Sequence, residues 1–567
     1  MNPIDIHTDL FGFSLSEGDL RKIKTQGKEI IQRVYFAVRD EEWLNIEHVV
    51  KDFKSEISAT TTTYSYDLLF QKDKVDFTTR LTIKIEDNKL VIEALGKASS
   101  DFMKNRIGLC MHLPSSLKGT PCNVSHTDHT SSSAVLPCLV SPHQPIKRIS
   151  QIELLFDRFS AEIDFEGDIF EMEDQRNWTD ASFKIYSTPL ELPFPVEVKR
   201  GDLFHQKISV TVSSDVHTKE YAGNGDPNTG QQLLPPPLLG MMMPDNLTAD
   251  IIDHFRENNS FPFSFLRIDF RLYNDRWEEK ILNSILFARK MNIPVYAMLY
   301  FSKQYNSEME AFRSFCKHYS LSQLLQFIAL LSSEEFVLPE NQLRQMTSEL
   351  RLFSPDVRIG AGTDANFAQL NRNYPSLGEL DFVCYSIQPQ EHASDRLSIT
   401  ENILGQYDTV KTAQTLGNGK PVHITSLSLF RRFNANVEKI TPDNHVPDYP
   451  YAGSHFETAW FIGALHELVI AGAETITSVF YPTVNSPLFP FFEKMANHPP
   501  EGFYSDCSAL PEKYASLSWK SKGEKHLVIA NLTGEPIIFL YNSLETKLEP
   551  YEIQYNIERE RAGQGES

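Results

Sequence analysis

FSFLRIDFRLYNDRWEEKILNSILFARKMNIPVYAMLY, residues 263–300, sets two apolar runs on either side of a longer amphipathic segment. Phe263–Phe270 and Pro294–Tyr300 are short, nearly unbroken apolar runs, and Asp275–Met291 between them is a helical candidate. Strands covered on both faces lose the apolar–polar alternation of a half-exposed strand, so this is the pattern of parallel strands joined by a helix. The unit recurs on both sides. Further strands are expected at Leu238–Met243, Leu324–Leu331, Val357–Gly362, Leu380–Ile387, Pro421–Leu427 and Thr475–Phe480. Helices are expected at Asn246–Glu257, Asn306–Cys316, Glu340–Leu350, Asn366–Asn371, Ile399–Leu416, His455–Ala471 and Pro487–Met495. Eight strands, each followed by a helix over about 260 residues, spell a closed (β/α)8 TIM barrel. An open doubly wound sheet is the alternative, but no glycine-rich phosphate loop follows the first strand.

A barrel fixes where chemistry belongs, because its ligands sit at the carboxyl ends of the strands. Strand two ends in Asp269 and Arg271, strand three in Ser302 and Lys303, and strand four in Glu334 and Glu335. Strand five runs into Thr363, Asp364 and Asn366, and strand six into Gln388, Gln390, Glu391 and His392. Strand seven ends at Ser426 and Ser428 before Arg431 and Arg432, and strand eight at Tyr481 and Thr483. Thr363 or Asp364 alone would serve equally well as a helix cap. Amides, carboxylates, hydroxyls and arginines converging on one concave mouth suit a polyhydroxylated ligand.

The flanking segments read as β-structure, which makes the whole a multidomain α+β protein. Residues 1–235 are expected to form an antiparallel β-sandwich, supersandwich-like, after a short helix near Leu15–Thr25. Its strands are Ile30–Val38, Thr60–Phe70, Asp76–Ile85, Lys89–Leu95, Arg106–Leu113, Gln151–Phe156, Arg158–Phe165, Phe194–Val198 and Leu203–Val212. Asp87-Asn88 supplies a hairpin turn. Residues 213–240, rich in Gly, Pro, Asn and Ser, read as a linker into a barrel domain spanning 236–497. Residues 498–567 are expected to form a small β-domain with strands at Ser516–Trp519, His526–Asn531, Pro536–Leu540 and Glu552–Tyr555, ending in a disordered ERERAGQGES.

The totals exclude several function classes. With 54 basic against 75 acidic side chains the net charge is −21, which repels nucleic acid and anionic membrane surfaces. No apolar run approaches the roughly 20 residues that span a bilayer, and the first residues carry no secretory pattern. Six cysteines without CxxC spacing suit a cytoplasmic protein with reduced thiols.

One segment of the first domain fits neither a strand nor a helix for long. FEMEDQRNWTDASFKIY, Phe170–Tyr186, packs Glu171, Glu173, Asp174, Arg176, Asp180 and Lys184 among Phe170, Trp178 and Phe183. Buried charges need partners, so the stretch is either a salt-bridged corner or a ligand site. The barrel offers a second polar face, and the expectation is that the stretch joins it in a pocket at the domain interface. Two loops add chemistry-capable groups: SHTDH, with His126, Asp128 and His129, and SPHQP, with His143 and Gln144. Two imidazoles and a carboxylate can ligate a metal, but a capping loop has the same composition; no cofactor is called for.

KNRIGLCMHLP (104–114), the HTDH loop, SPHQP (141–145), FEGDIFEMEDQRNWTDASFKIYSTPL (165–190), GTDANFAQLNRNYP (362–375) and CYSIQPQEHASD (384–395) together resemble the D-apionate lactonase family. The resemblance implies hydrolysis of D-apionolactone to D-apionate in apiose catabolism, with a small sugar lactone as the partner. Opening a lactone is acyl transfer to water and needs a base, donors for the oxyanion and an acid for the ring oxygen. No GxSxG elbow is present, so direct attack by water is the simpler route. Asp364, Glu173 or His392 can serve as base, Arg176, Lys184 or Asn366 as oxyanion donors, and His126 or Glu171 as acid. The preferred set is Glu173 as base with Arg176 and Lys184 as stabilisers. Glu171, Asp174, Asp180, Trp178, His126, Asp128, Asn366, Gln388 and Arg271 are the expected substrate contacts. A barrel glycosidase acting on plant cell-wall oligosaccharides is one alternative. Strand four offers Glu334 and Glu335 for it, but strand seven has no carboxylate before Glu438. A non-catalytic sugar-binding protein is the other.

Overall fold

A computed structural model describes residues 3–58, 60–213, 232–243, 255, 261–375, 378–433, 449–479, 486–505, 513–541 and 544–559. They fall into two compact units, one of residues 1–175 and 182–226, the other of residues 176–181 and 227–567.

The first unit is an antiparallel β half-barrel or sandwich, and its seventeen strands share one hydrogen-bonded network. Long hairpins build it. Thr61–Lys72 pairs with Val75–Glu86, which pairs with Lys89–Ala98. The turns between them bend at Asp73 and Asp87, whose φ angles are 51° and 48°. Along Val75–Glu86 every second residue, from Val75 through Phe77, Leu81 and Ile83 to Ile85, is buried. That alternation feeds one apolar core shared with Phe36, Phe70, Ile92, Phe170 and Phe183. Each such side chain, fully removed from water, contributes about 1.5–3 kcal/mol before entropy is counted.

The helix expected near Leu15–Thr25 does not form. Phe11–Ser16 and Asp19–Thr25 pair as antiparallel strands around Glu17-Gly18, both residues having positive φ (51° and 88°), as a tight hairpin turn requires. The expectation also lacked Ile4–His7, His48–Ile57, Pro121–His126 and Ser131–Val135. Most residues of His48–Ile57 and Ser131–Val135 are exposed, so these strands show no buried alternation to read.

The second unit holds the closed barrel of eight parallel strands. In chain order they are β1 (Leu238–Met242), β2 (Phe265–Arg271), β3 (Val295–Phe301), β4 (Leu325–Ser332), β5 (Arg358–Gly362), β6 (Phe382–Ile387), β7 (Val422–Leu427) and β8 (Thr475–Ser478). Pairing of β1 with β8 closes the ring. Helices Trp277–Met291, Tyr305–His318, Glu340–Phe353, Phe367–Arg372, His455–Ala471 and Leu488–Asn497 follow β2, β3, β4, β5, β7 and β8. The helix expected over Ile399–Leu416 is divided into Arg396–Glu401, a 3-10 turn at Asn402–Leu404 and Gly405–Leu416. The expected helix Asn246–Glu257, apart from Phe255, the linker core and residues 560–567 lie outside the described residues, while Glu558 and Arg559, the start of the ERERAGQGES expected to be disordered, end the strand Ile553–Arg559.

Rings of Phe265, Tyr296, Phe327 and Phe382 fill the amino-terminal part of the barrel. Two glycines make room for them: a Cβ at Gly240 would come within 2.0 Å of the Phe265 ring, and one at Gly360 within 2.2 Å of Phe382. His423 lies flat on Phe382, 3.7 Å between centroids, and its Nε2 meets Glu474 at 2.7 Å. Arg358 grips the same carboxylate through both terminal nitrogens, at 2.9 and 2.8 Å.

Tail strands Gly502–Tyr504, Tyr514–Ser521, Glu524–Asn531 and Ile553–Arg559 form a sheet with Leu233–Leu234. Helix His455–Ala471 packs against Tyr514–Ser521. Among the described residues no helix is long and apolar enough to cross a membrane.

Candidate functional site

The β2 sequence Arg267-Ile268-Asp269-Phe270-Arg271 places three charges at every second position of a strand buried on both faces. Charges in that register point into the barrel and must pair there. Arg267 has no exposed surface and donates to both oxygens of Asp269, at 2.8 and 3.1 Å. It also donates to both oxygens of Asp364, at 2.9 and 2.6 Å, and to the Thr425 carbonyl at 2.7 Å. Tyr300 and Thr425 donate their hydroxyls to Asp364 at 2.8 and 2.6 Å, and Arg432 reaches it at 3.2 Å. Burial would raise the Asp364 carboxyl, but the charges of Arg267 and Arg432 and hydrogen bonds from Arg267 and Thr425 override it and hold the group well below the usual carboxylate range. A carboxylate so saturated is a fixed negative charge and a weak base. Asp364 gains its position from Gly362, where a Cβ would sit 2.0 Å from the Cys384 carbonyl oxygen.

A second network lies two residues further along the β5 loop. Asn366 and Gln388 donate to one oxygen of Glu391, at 3.2 and 2.9 Å. Burial raises the Glu391 carboxyl, opposed by the neighbouring His392 and Arg431 and by the Asn366 hydrogen bond. His392, next in sequence, shares a hydrogen bond through Nδ1 with Asp180, whose other oxygen accepts from Asn402 at 2.6 Å. Among the described residues the Nε2 of His392 has no hydrogen-bond partner. Trp178 stands edge-on to the imidazole, 6.1 Å between centroids.

Phe170–Tyr186 is thus divided. Residues 176–181, with Trp178 and Asp180, belong to the barrel's unit, and the remainder belongs to the β-unit. Several contacts hold the 176–181 turn. Thr179 donates to the Gln388 carbonyl at 2.6 Å, Asn371 to Asn177 at 2.9 Å, and Arg176 to Asp408 at 2.8 Å. Arg176 has no exposed surface, so its charge is spent on Asp408 within the fold. Gly405 completes the seat, since a Cβ there would meet the Asp180 carbonyl oxygen at 2.7 Å.

In the β-unit, strands Phe170–Asp174 and Ser182–Ser187 pair with Glu173 opposite Lys184 and Glu171 opposite Tyr186. Glu171 accepts from the Tyr186 hydroxyl at 2.6 Å and the Leu190 amide at 2.8 Å, and Asp174 accepts from the Ser141 amide at 2.9 Å. The HTDH loop closes a turn between Pro121–His126 and Ser131–Val135. His126 uses Nδ1 on the Lys147 carbonyl and Nε2 on Ser132, at 2.9 and 2.8 Å, and Asp128 accepts from the Thr130 amide and hydroxyl at 3.0 and 2.6 Å. Both imidazole nitrogens are therefore hydrogen-bonded within the loop. Among the described residues no group of three or more His, Cys, Asp and Glu side chains could hold a metal ion.

Arg267, Tyr300, Thr425 and Asn402 were not anticipated. The R-I-D-F-R alternation within an apolar strand was the available signal for Arg267; nothing local marks the others. Arg271 stacks its guanidinium 5.2 Å from the Tyr300 ring centroid and donates to Tyr273 at 3.3 Å. Tyr481 and Thr483, expected at the β8 rim, lie outside the described residues, as does Glu438. Glu457, in the first turn of the helix after β7, accepts from the Tyr449 hydroxyl and from the Gly453 amide at 2.7 Å, and burial pushes its carboxyl up to about 7.

Two family models match the chain: residues 2–215 match the N-terminal domain of D-apionate lactonase, and residues 239–483 its TIM barrel domain. A D-apionate lactonase from Brucella anthropi is 25% identical, the alignment covering 98% of this chain and 97% of the relative. Among solved structures, a beta-arabinopyranosidase aligns over 96% of this chain and 97% of its own, at 10% identity and a TM-score of 0.34. A glycoside hydrolase family 30 xylanase from Clostridium acetobutylicum aligns over 58% of this chain and 97% of its own, at 11% identity and a TM-score of 0.38. Neither likeness is close enough to argue from.

Proposed function

From the premise that this chain belongs to the D-apionate lactonase family, we propose that it is a sugar lactonase that opens D-apionolactone or a close five-membered relative to the hydroxy acid. The observation that carries the mechanism is the His392–Asp180 pair beside Glu391 at the carboxyl end of β6.

In this reading Nε2 of His392 takes a proton from water as the oxygen attacks the lactone carbonyl. Asp180 fixes the imidazole through Nδ1 and stabilises the imidazolium that forms, the role a carboxylate plays behind any histidine base. Asn402 and the seat on Gly405 keep Asp180 in place. The tetrahedral oxyanion collapses, the bond from carbonyl carbon to ring oxygen breaks, and Glu391 supplies the proton that the departing oxygen needs. Burial that favours the neutral acid suits Glu391 to that role. Asn366 and Gln388 orient it, and Trp178 offers a face for the sugar carbons. Asp364 is assigned to holding charge rather than moving protons, because five hydrogen bonds saturate it.

This assignment replaces Glu173 with His392 as base. Glu173 faces Lys184 across a strand pair of the β-unit, whereas His392 has a supporting carboxylate and an unengaged nitrogen. The test is to follow ring opening of D-apionolactone with a pH indicator, beside a panel of other sugar lactones and aryl glycosides. Acid release from the lactone alone supports the reading, and cleavage of a glycoside without lactone opening overturns it.

A further inference from the structure

Among the described residues, the network around Asp364 joins the guanidinium groups of Arg267, Arg271 and Arg432 to the carboxylates of Asp269 and Asp364. Arg267 spends itself on the two aspartates. Arg432 does not. Its Nη1 donates to Ser426 at 2.7 Å and its Nη2 to Asp364 at 3.2 Å, but its Nε is buried and has no hydrogen-bond partner among the described residues. Its side chain is only 3% exposed. A buried guanidinium with an idle donor is uncommon, because an unmet donor away from water is costly. It follows the end of β7, on the face of the barrel where ligands bind.

We infer that Arg432 holds the carboxylate of an open-chain sugar acid, so that the site binds the anionic product as well as the neutral lactone. Guanidinium is the side chain best matched to a carboxylate, and a buried cation with an idle donor favours an anion over an uncharged ring. The identity of the anion rests on the lactonase reading; the presence of an anion site does not. The consequence is product inhibition by sugar acids, set by charge and not by hydroxyl pattern alone.

The test is isothermal titration calorimetry at pH 7 with sodium D-apionate and with the corresponding sugar lactam, which is uncharged. Wild-type protein is expected to bind D-apionate. Arg432→Lys keeps a cation beside Asp364 but lacks the Nε donor, and Arg432→Gln lacks the charge as well. D-apionate affinity should fall about 10- to 100-fold across this pair, the range for a lost hydrogen bond to a charged group, while lactam affinity changes by less than about threefold. A loss of both affinities together in Arg432→Lys, or unchanged D-apionate binding in either variant, overturns the inference. Should Arg432→Gln fail to fold, Arg432→Lys decides. Because titration needs no turnover, an anion that binds to a protein inactive on lactones would refute the lactonase reading alone, and an active protein that ignores D-apionate would refute this inference alone.

Discussion

His392 and Asp180 share a hydrogen bond through Nδ1 although 212 positions separate them in the chain. Such a pair fixes the imidazole's tautomer and leaves Nε2 to face a ligand. His392→Asn is expected to lower kcat for lactone opening by at least about a hundredfold, the usual worth of general-base catalysis. Asp180→Asn should also lower kcat, with KM nearly unchanged, since it acts through His392. Steady-state kinetics on both variants checks this.

Gly405 gives the same relationship a second test at a residue without chemistry. Alanine there would press its Cβ against the backbone oxygens of Asp180 and Thr179, at 2.7 and 3.0 Å, and displace the turn that carries Asp180. A misplacement on the order of 1 Å costs about a hundredfold in rate. Gly405→Ala should therefore lower kcat about 10- to 100-fold. Circular dichroism should still report a folded protein.

Glu391, as the proposed acid, is expected to set the alkaline side of the pH profile. Burial raises its carboxyl, so the acid form proposed to protonate the ring oxygen persists to higher pH than in an exposed carboxyl and is lost as pH rises further. The kcat profile should fall on that limb in the wild type. In Glu391→Gln it should be lower throughout and lack that limb.

His423 governs acid stability, away from the chemistry. Burial lowers its imidazole to about 4, against a raising influence from Glu474. The unfolded chain takes up the proton near 6.5 and the folded chain only near 4, so stability is complete above 6.5 and declines as pH falls between those values. The decline amounts to about 3 kcal/mol from this group, at about 1.36 kcal/mol per unit. The Glu474 carboxyl is lowered to about 2 by hydrogen bonds from His423 and Arg358, against burial, so its own contribution is lost below about 4.5, in the same direction. Urea melts between pH 4 and 7 should show this slope in the wild type, and His423→Gln should flatten it.

The barrel was legible because eight apolar runs must be covered on both faces, and all eight expected strands begin and end within two residues of the observed ones. β8 stops at Ser478, and Phe480 lies outside the described residues. The sandwich was legible where strands alternate, as in Val75–Glu86, and illegible in edge strands such as His48–Ile57 that have little to bury. At the site, Asp364, Asn366, Gln388 and His392 followed from the barrel rule alone. Asp180 could be listed from its local charge density, but its pairing with His392 could not, because sequence carries no trace of a contact between positions so far apart. The alternation of Arg267, Asp269 and Arg271 marks a buried ionic cluster, because charges at every second position of a strand covered on both faces must meet partners inside.

Release of acid from D-apionolactone, measured with wild-type protein and with His392→Asn and Glu173→Gln in parallel, decides between His392 and Glu173 as the base. Turnover by the wild type, near abolition in His392→Asn and substantial activity in Glu173→Gln are expected. No turnover by the wild type, or full turnover by His392→Asn, would contradict that expectation.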